Sequence, residues 1–234
     1  MRLRTLRTLV LRPALIALLV VAPPLAYLLL LSENFGVVRP GELYRSGQMS
    51  GRSVAARIRE HRVRTVLNLR GSHPESAWYR DERAATLAAG ATQVDIPLSS
   101  CEWMSRAQAR AVLEVLETAE RPILVHCFHG SERTGMVAAF AELLRPGSTL
   151  ADAENQFTLR HLYLGFGDGV VTRRHLEAYQ TWLRDRKLDH DPGHFRRWIA
   201  FEYRPGSPSR EHWDFDPYPL VVVTKPVRKV ADRR

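Results

Sequence analysis

The sequence is short of cysteine: its 234 residues include only Cys101 and Cys127. So few cysteines exclude a small domain held together by disulfide bonds. No internal repeat is visible, and no group of histidine, aspartate and glutamate has the spacing of a metal site, so we predict neither metal nor cofactor. The hydrophobic content of 45% excludes a disordered chain, because that much apolar surface can form a packed core.

Positive charge is abundant, with a formal net charge of +9 and a pI near 10.1. This balance indicates an anionic partner. The basic residues are spread along the chain and no nucleic-acid-reading module is visible, so we do not predict a nucleic-acid partner. An anionic substrate or a membrane surface is the simpler explanation.

The first 31 residues have the pattern of a membrane segment. Nineteen uncharged residues, 13–31, are long enough to cross a bilayer as a helix. Arginines precede this run, which places the amino terminus in the cytoplasm and the rest of the chain outside it, in the periplasm of a bacterium. We therefore predict a single-pass anchor in the inner membrane over residues 1–31. Pro23-Pro24 leaves a cleaved signal peptide as the alternative.

After a short linker over 32–40, apolar strand patterns alternate with amphipathic helix patterns. Strands are predicted at 64–70, 92–98 and 123–125. Ser72 with Glu75, and Ser105 with Gln108, have the spacing of capping boxes that open helices. This order predicts an α/β fold with a central, mostly parallel sheet flanked by helices. We place this globular domain at 41–204 and a proline-rich, basic extension at 205–234. The loops that follow the parallel strands meet at one edge of the sheet, where ligands bind in such folds.

One of these loops has a specific composition. After Ile123-Leu124-Val125 the sequence reads His-Cys-Phe-His-Gly-Ser-Glu-Arg-Thr-Gly over 126–135, with five residues between Cys127 and Arg133. Strand, loop and helix follow one another here, so the loop N–H groups and the helix dipole can point at the cysteine sulfur. Positive partial charge favours the thiolate. Arg133 can hold two oxygens of a tetrahedral dianion at once.

This segment resembles the signature loop His-Cys-x5-Arg-Ser/Thr of the cysteine-dependent protein tyrosine and dual-specificity phosphatase superfamily. It is similar to the loop of compact bacterial members, as is Tyr44-Arg45-Ser46-Gly47-Gln48 to their usual opening. The resemblance implies a phosphotyrosine-phosphatase-like fold for 41–204 and a metal-independent hydrolase activity. A rhodanese-like sulfurtransferase is the nearest rival, but its loop is typically shorter by one residue.

The resemblance also implies a role for each residue of the loop. Cys127 is the nucleophile that forms a phosphocysteine intermediate, and Arg133 stabilises the phosphoryl oxygens. Thr134 hydrogen-bonds the sulfur, and His126 supports the loop. The remaining phosphate-binding residues are those between the cysteine and the arginine: Phe128, His129, Gly130, Ser131 and Glu132.

The general acid is less clearly indicated. The superfamily usually places an aspartate in the loop after the preceding strand, and no aspartate occurs between Ser99 and Ser105. Glu102 lies in that loop and is our first candidate. Asp95 and Glu132 are the alternatives, the first within a predicted strand and the second next to the arginine.

Three functions are compatible with this pattern. The first is a phosphatase acting on phosphotyrosine, phosphoserine or phosphothreonine in a phosphorylated protein or small substrate. The second is a phosphatase of phosphoinositides, phospholipids or inositol phosphates, which the predicted anchor and the basic charge favour. The third is a phosphate-binding module without turnover, suggested by the missing aspartate. In an oxidising compartment, a bridge between Cys101 and Cys127 would switch off the nucleophile.

Overall fold

The computed structural model describes residues 20–21, 33–167, 169–209, 211 and 219–226. The predicted anchor therefore lies outside the described residues, apart from positions 20–21. Within the described part of the chain, no helix has the length and apolar character needed to cross a membrane. The basic carboxyl-terminal residues 227–234 also lie outside it.

A mixed sheet forms the centre of the described chain, with the strand order β1-β2-β5-β3-β4-β6. The four middle strands are parallel, and β1 and β6 pair antiparallel at the two edges. The predicted mostly parallel sheet is therefore confirmed. The strands are β1 (Gly36–Arg39), β2 (Leu43–Ser46), β3 (Thr65–Asn68), β4 (Thr92–Asp95), β5 (Ile123–His126) and β6 (Val222–Thr224).

Helices cover both faces of this sheet, as the buried character of the parallel strands requires. On one face α3, α4 and α6 pack against the larger apolar core, and on the other α1 and α2 enclose a smaller cluster. The α-helices are α1 (Gly51–His61), α2 (Ala77–Ala88), α3 (Arg106–Thr118), α4 (Glu132–Leu143), α5 (Leu150–Glu154), α6 (Val170–Arg186) and α7 (Pro192–Arg197). The chain also contains a 3₁₀ turn, Leu159–His161, and a π-helix, Trp198–Glu202.

The two predicted helix caps have different outcomes. Ser105 accepts a hydrogen bond from the Gln108 N–H, and the Gln108 side chain accepts one from the Ser105 N–H, so the capping box of α3 is confirmed. The box predicted at Ser72 is wrong, because α2 begins after Ser76. The Ser72 hydroxyl instead donates to the Tyr79 hydroxyl at 3.0 Å.

Both predicted flanking segments contribute a strand to the sheet. β1 lies within the predicted linker 32–40, and β6 lies within the predicted extension 205–234. Each covers one edge of the parallel strands with an antiparallel partner. The parallel strands β3, β4 and β5 end together, at Asn68, Asp95 and His126, and this edge holds the candidate site.

Candidate active site

The signature loop turns from β5 into α4 around the sulfur of Cys127. Cys127 is 1% exposed, and the backbone N–H of Gly130 donates to its sulfur at 3.3 Å. Gly130 has a φ of +73°, and a Cβ at this position would lie 2.6 Å from the Ser46 carbonyl carbon. Only glycine allows the loop to approach β2 this closely while its N–H faces the thiol.

The electrostatics of the loop favour the ionised thiol. Burial by itself raises the pKa of Cys127, because a buried charge loses its hydration. The positive charge of Arg133, the hydroxyl and N–H of Thr134 and the N–H of Gly130 act in the opposite direction and outweigh burial. The pKa of the Cys127 thiol is therefore lowered, as a nucleophilic thiolate requires.

Arg133 is held in place by one end of its guanidinium group. Its NH1 donates to the carbonyl oxygens of Leu98 at 3.1 Å and Leu69 at 3.4 Å, where the chain leaves β4 and β3. Its Nε is buried and has no hydrogen-bond partner within the described residues. A buried donor without an acceptor costs about 1–3 kcal/mol, and an oxygen of a bound phosphate would supply that acceptor.

The other predicted phosphate-binding residues fall into two groups. Phe128 and His129 are exposed at the rim of the loop, with 52% of Phe128 accessible. Ser131 is buried, and its hydroxyl has no partner among the described residues. Glu132 lies in the first turn of α4, next to Gly169, and its carboxylate is well placed for the positive end of the helix dipole.

Arg45 supports the loop from the side of the sheet, a role that sequence reasoning missed. It is 0% exposed, and its NH2 donates to the carbonyl oxygen of Gly130 at 2.9 Å. Its NH1 donates to the carbonyl oxygen of Gln156 at 2.8 Å. Burial lowers the pKa of Arg45 to about 10, so the group stays charged at neutral pH. One feature of the sequence could have indicated this role. Arg45 is a charged residue within a strand, and that strand lies inside the sheet between β1 and β5.

His126 takes the supporting role that the resemblance implies. Its Nε2 lies 3.1 Å from Glu82 Oε1, and its Nδ1 lies 3.2 Å from the Cys127 carbonyl oxygen. Burial lowers the pKa of His126, but the Glu82 carboxylate outweighs burial, so the net shift is upward. Burial likewise raises the pKa of Glu82, and the charge and hydrogen bond of His126 make the net shift downward. No sequence pattern indicates Glu82, which lies on the buried face of α2.

The two remaining candidate acids lie in different surroundings. Glu102 lines a groove of about 440 Å³ together with Cys101, Arg174 and Pro208. Asp95 is 0% exposed and accepts hydrogen bonds from Tyr79 at 2.7 Å, Asn68 at 2.8 Å and Gln93 at 3.1 Å. Burial raises the pKa of Asp95, and both of its oxygens already accept hydrogen bonds from buried side chains.

Both cysteines are free thiols in this structure. Cys101 is exposed, with its sulfur 3.4 Å from the Ser99 hydroxyl, whereas Cys127 is buried. Within the described part of the chain, no cluster of three or more histidine, cysteine, aspartate or glutamate residues has the geometry of a metal site.

A buried thiol whose pKa is lowered by an arginine and loop N–H groups, at the end of a parallel sheet, is the arrangement that the resemblance to cysteine-dependent phosphatases implies. A family model described as "Tyrosine phosphatase family" matches residues 30–145, and over this segment the chain belongs to that family. Among curated proteins, it is 30% identical over 129 residues to the dual specificity protein phosphatase TpbA of Pseudomonas aeruginosa (strain UCBPP-PA14). That match covers 54% of this chain and 52% of TpbA, so the chain spans about half the length of the curated relatives it matches.

Two solved structures are similar to the model. The crystal structure of P. aeruginosa TpbA is 28% identical, covering 72% of this chain and 92% of that one, with a TM-score of 0.49. The catalytic core of the PP-IP phosphatase SIW14 from S. cerevisiae, in complex with citrate, is 20% identical, with a TM-score of 0.50. It covers 66% of this chain and 93% of that one, and the likeness concerns the fold alone.

Proposed function

We propose that the protein is a cysteine-dependent phosphatase that hydrolyses phosphomonoesters through a phosphocysteine intermediate. One observation carries this proposal: the buried thiol of Cys127 has a lowered pKa and shares its loop with Arg133, whose buried Nε has no partner among the described residues. A nucleophile and an unfilled donor for an oxyanion are the two parts that phosphoryl transfer requires.

In the first step the Cys127 thiolate attacks phosphorus in line with the leaving oxygen. The P–S bond forms as the ester P–O bond breaks, and the leaving oxygen takes up a proton. The loop N–H groups and Arg133 stabilise the equatorial oxygens as charge develops on them. Because Arg133 is fixed by the Leu69 and Leu98 carbonyls, it needs little reorganisation during the reaction.

In the second step water attacks the phosphorus of the phosphocysteine and gives one proton to the carboxylate of the general acid, which the first step left deprotonated. The P–S bond breaks, inorganic phosphate leaves and the thiolate is restored. Thr134 assists here, because its hydroxyl lies near the sulfur, lowers the pKa of Cys127 and can turn from the Ser46 carbonyl oxygen to the departing thiolate. Its side chain is held at the loop, with Oγ1 3.5 Å from the Ser46 carbonyl oxygen.

Glu102 is the general acid in this proposal. It lies four residues after Leu98, whose carbonyl oxygen binds Arg133, and Asp95 is enclosed by its own hydrogen bonds. Replacing Glu102 by glutamine should lower kcat for a substrate with a poor leaving group by about 10²-fold and leave an activated aryl phosphate nearly unaffected. Equal effects on both substrates would exclude Glu102 and favour Glu132.

The substrates proposed are phosphotyrosine and phosphoserine or phosphothreonine, in line with the dual specificity of TpbA. The direct test is hydrolysis of p-nitrophenyl phosphate by the full chain in the presence of EDTA. We expect metal-independent turnover that disappears in Cys127→Ser, with at least about 10⁴-fold loss. Full activity in that variant, or binding of phosphate esters without any turnover by the wild type, would contradict the proposal.

The location proposed rests on the sequence pattern of residues 1–31. The arginine-flanked apolar run anchors the protein in the inner membrane, with the catalytic domain on the outer, periplasmic side. Phosphatase activity should then remain with the membrane fraction, and protease added to spheroplasts should degrade the catalytic domain. Full protection from that protease would contradict the predicted orientation.

A further inference from the structure

A second arginine, Arg70, stands at the rim of the signature loop. Its guanidinium lies over the ring of Trp78, 3.5 Å from the centroid, and 5.1 Å from the ring centroid of Phe128, the residue after the nucleophile. Its NH1 donates to Gln48 Oε1 at 2.9 Å, and the Gln48 backbone N–H donates to the Phe128 carbonyl oxygen at 2.9 Å. Arg70 is therefore attached to the same loop that carries Cys127.

The turn that carries Arg70 is held in one conformation. Asn68 Oδ1 accepts from the Arg70 backbone N–H at 2.9 Å, and Asn68 Nδ2 donates to the Gly71 carbonyl oxygen at 2.9 Å. Gly71 has a φ of +83°, and a Cβ there would lie 2.8 Å from Pro97. A side chain on such a turn is preorganised, so little entropy is lost when it binds a ligand.

The charge of Arg70 is not neutralised by the protein. Neither Arg70 nor Arg133 forms an ion pair with a carboxylate among the described residues. Burial, followed by the positive charge of Arg133, lowers the pKa of Arg70, so the two cations act on each other. Glu82, the carboxylate whose charge opposes this shift, is already hydrogen-bonded to His126, Gln93 and Gln48.

Arg70 also retains donors that a ligand can reach. Its Nε and NH2 have no hydrogen-bond partner within the described part of the chain, and neither atom is sealed from solvent. The Trp78 and Phe128 rings flank the guanidinium and leave its edge for hydrogen bonding. A planar donor edge of this kind matches the oxygens of a phosphate or carboxylate.

We propose that Arg70 forms a second anion-binding subsite, which accepts a second phosphate or a carboxylate carried by the substrate beside the phosphate that Cys127 attacks. This inference rests on the proposed phosphatase function and deepens it, because it makes Arg70 a specificity-determining residue. The subsite extends the substrates proposed above from phosphorylated residues to phosphomonoesters with a neighbouring anionic group, either in a soluble polyol phosphate or in a lipid head group.

The test compares substrates that differ only in the second anion. The full chain, solubilised in detergent, is assayed with phenyl phosphate, myo-inositol 4-phosphate and myo-inositol 4,5-bisphosphate. The wild type should prefer the bisphosphate to the monophosphate by about tenfold or more in kcat/KM, as expected for one added charge-assisted hydrogen-bond pair. In Arg70→Met, whose flexible side chain still packs on Trp78, this ratio should fall to about one.

Arg186→Met is the matched control. Arg186 also lies over a tryptophan, 4.8 Å from the Trp182 ring centroid, but at the far end of α6. The Arg186→Met variant should have the same bisphosphate-to-monophosphate ratio of kcat/KM as the wild type. If Arg70→Met does not fold, as judged by its thermal midpoint, Arg70→Gln replaces it with the same expected ratio. Binding of the two inositol phosphates to Cys127→Ser, measured by calorimetry, should show the same preference without turnover.

The possible outcomes separate the subsite from the proposed function. Hydrolysis of phenyl phosphate by a wild type with no bisphosphate preference would overturn the subsite and leave the phosphatase intact. The subsite would also be overturned if the Arg70 variant still preferred the bisphosphate. The same holds if the variant lost equal kcat/KM on both inositol phosphates. Failure to hydrolyse phenyl phosphate would remove the proposed function itself. Phosphatidylinositol 4,5-bisphosphate in phosphatidylcholine vesicles distinguishes the lipid from the soluble source, since the true source should have the higher kcat/KM.

Discussion

Two arginines bracket the signature loop, and they differ in what they can reach. Arg45 lies on the sheet side, 0% exposed, with NH1 and NH2 bound to oxygens of Gln156 and Gly130. Arg133 lies at the helix end of the loop and is only partly buried, with NH1 bound to two strand-end carbonyls. The Nε of each is buried without a partner among the described residues, but Arg45 is wholly buried and Arg133 keeps part of its side chain exposed. One cation therefore fixes the loop and the other is left to bind phosphate.

Replacing Arg133 by lysine should separate these roles most strongly. Lysine keeps the charge but loses the planar fork that binds two oxygens at once, so kcat/KM should fall by about 10²–10³-fold. The thermal midpoint should change little. Arg145→Lys, near the carboxyl end of α4, is the control and should keep full activity. A fall in activity of less than about fivefold for Arg133→Lys would mean that the fork does not bind the substrate.

Replacing Arg45 by methionine should act on stability. The change leaves the carbonyl oxygens of Gly130 and Gln156 buried without their donor, which costs about 3 kcal/mol of unfolding free energy. Urea denaturation followed by circular dichroism measures this loss. Arg173→Met, which removes an exposed ion pair with Glu177 on α6, should cost less than about 1 kcal/mol. Equal losses in the two variants would contradict the assignment of Arg45 as the clamp of the loop.

The buried pair of Glu82 and His126 provides a third, smaller effect that depends on pH. The raised pKa of His126 adds stability that is complete below its unfolded value of about 6.5 and is lost as pH rises through the folded value. The lowered pKa of Glu82 adds stability that is present above about 4.5 and is lost as pH falls through its folded value. Glu82→Gln should therefore cost about 2 kcal/mol near pH 6, and less as pH rises above the His126 pKa.

Asp81→Asn is the matched control for this prediction. Asp81 is exposed on the same helix, and it accepts a hydrogen bond from the Gly51 N–H at 2.8 Å. The unfolding free energy of the Asp81→Asn variant should have the same pH dependence as that of the wild type. A cost for Glu82→Gln that is independent of pH between 5 and 9 would show that the pair is not ionised.

The sequence predicted the parts of the site that are contiguous in the chain. The spacing from Cys127 to Arg133 lies in one strand, loop and helix, and local rules are sufficient to fold it into an anion cradle. The order of strands likewise predicted that the ends after Leu69 and Leu98 meet there, and both carbonyls bind Arg133. These predictions succeeded because each depends on short-range geometry or on the topology of parallel strands.

The supporting residues could not be predicted in the same way. Glu82 reaches His126 across 44 positions of sequence, and Arg45 reaches Gly130 across 85. Their partners are main-chain atoms or buried side chains, which leave no periodic pattern. The sequence places Arg70 only at the end of a strand, because its stacking on Trp78 depends on how α2 packs over the sheet. The sequence also does not single out one general acid, since loop conformation rather than composition decides which carboxylate faces the substrate.

The ionisation of the Cys127 thiol is the most direct test of the whole mechanism. The rate of alkylation by iodoacetamide is measured against pH in the Cys101→Ser variant, so that only one thiol reacts. We predict a titration midpoint well below the ordinary cysteine value of about 8.5, because Arg133, Thr134 and the loop N–H groups stabilise the thiolate. A titration midpoint at or above that value would contradict the proposed mechanism.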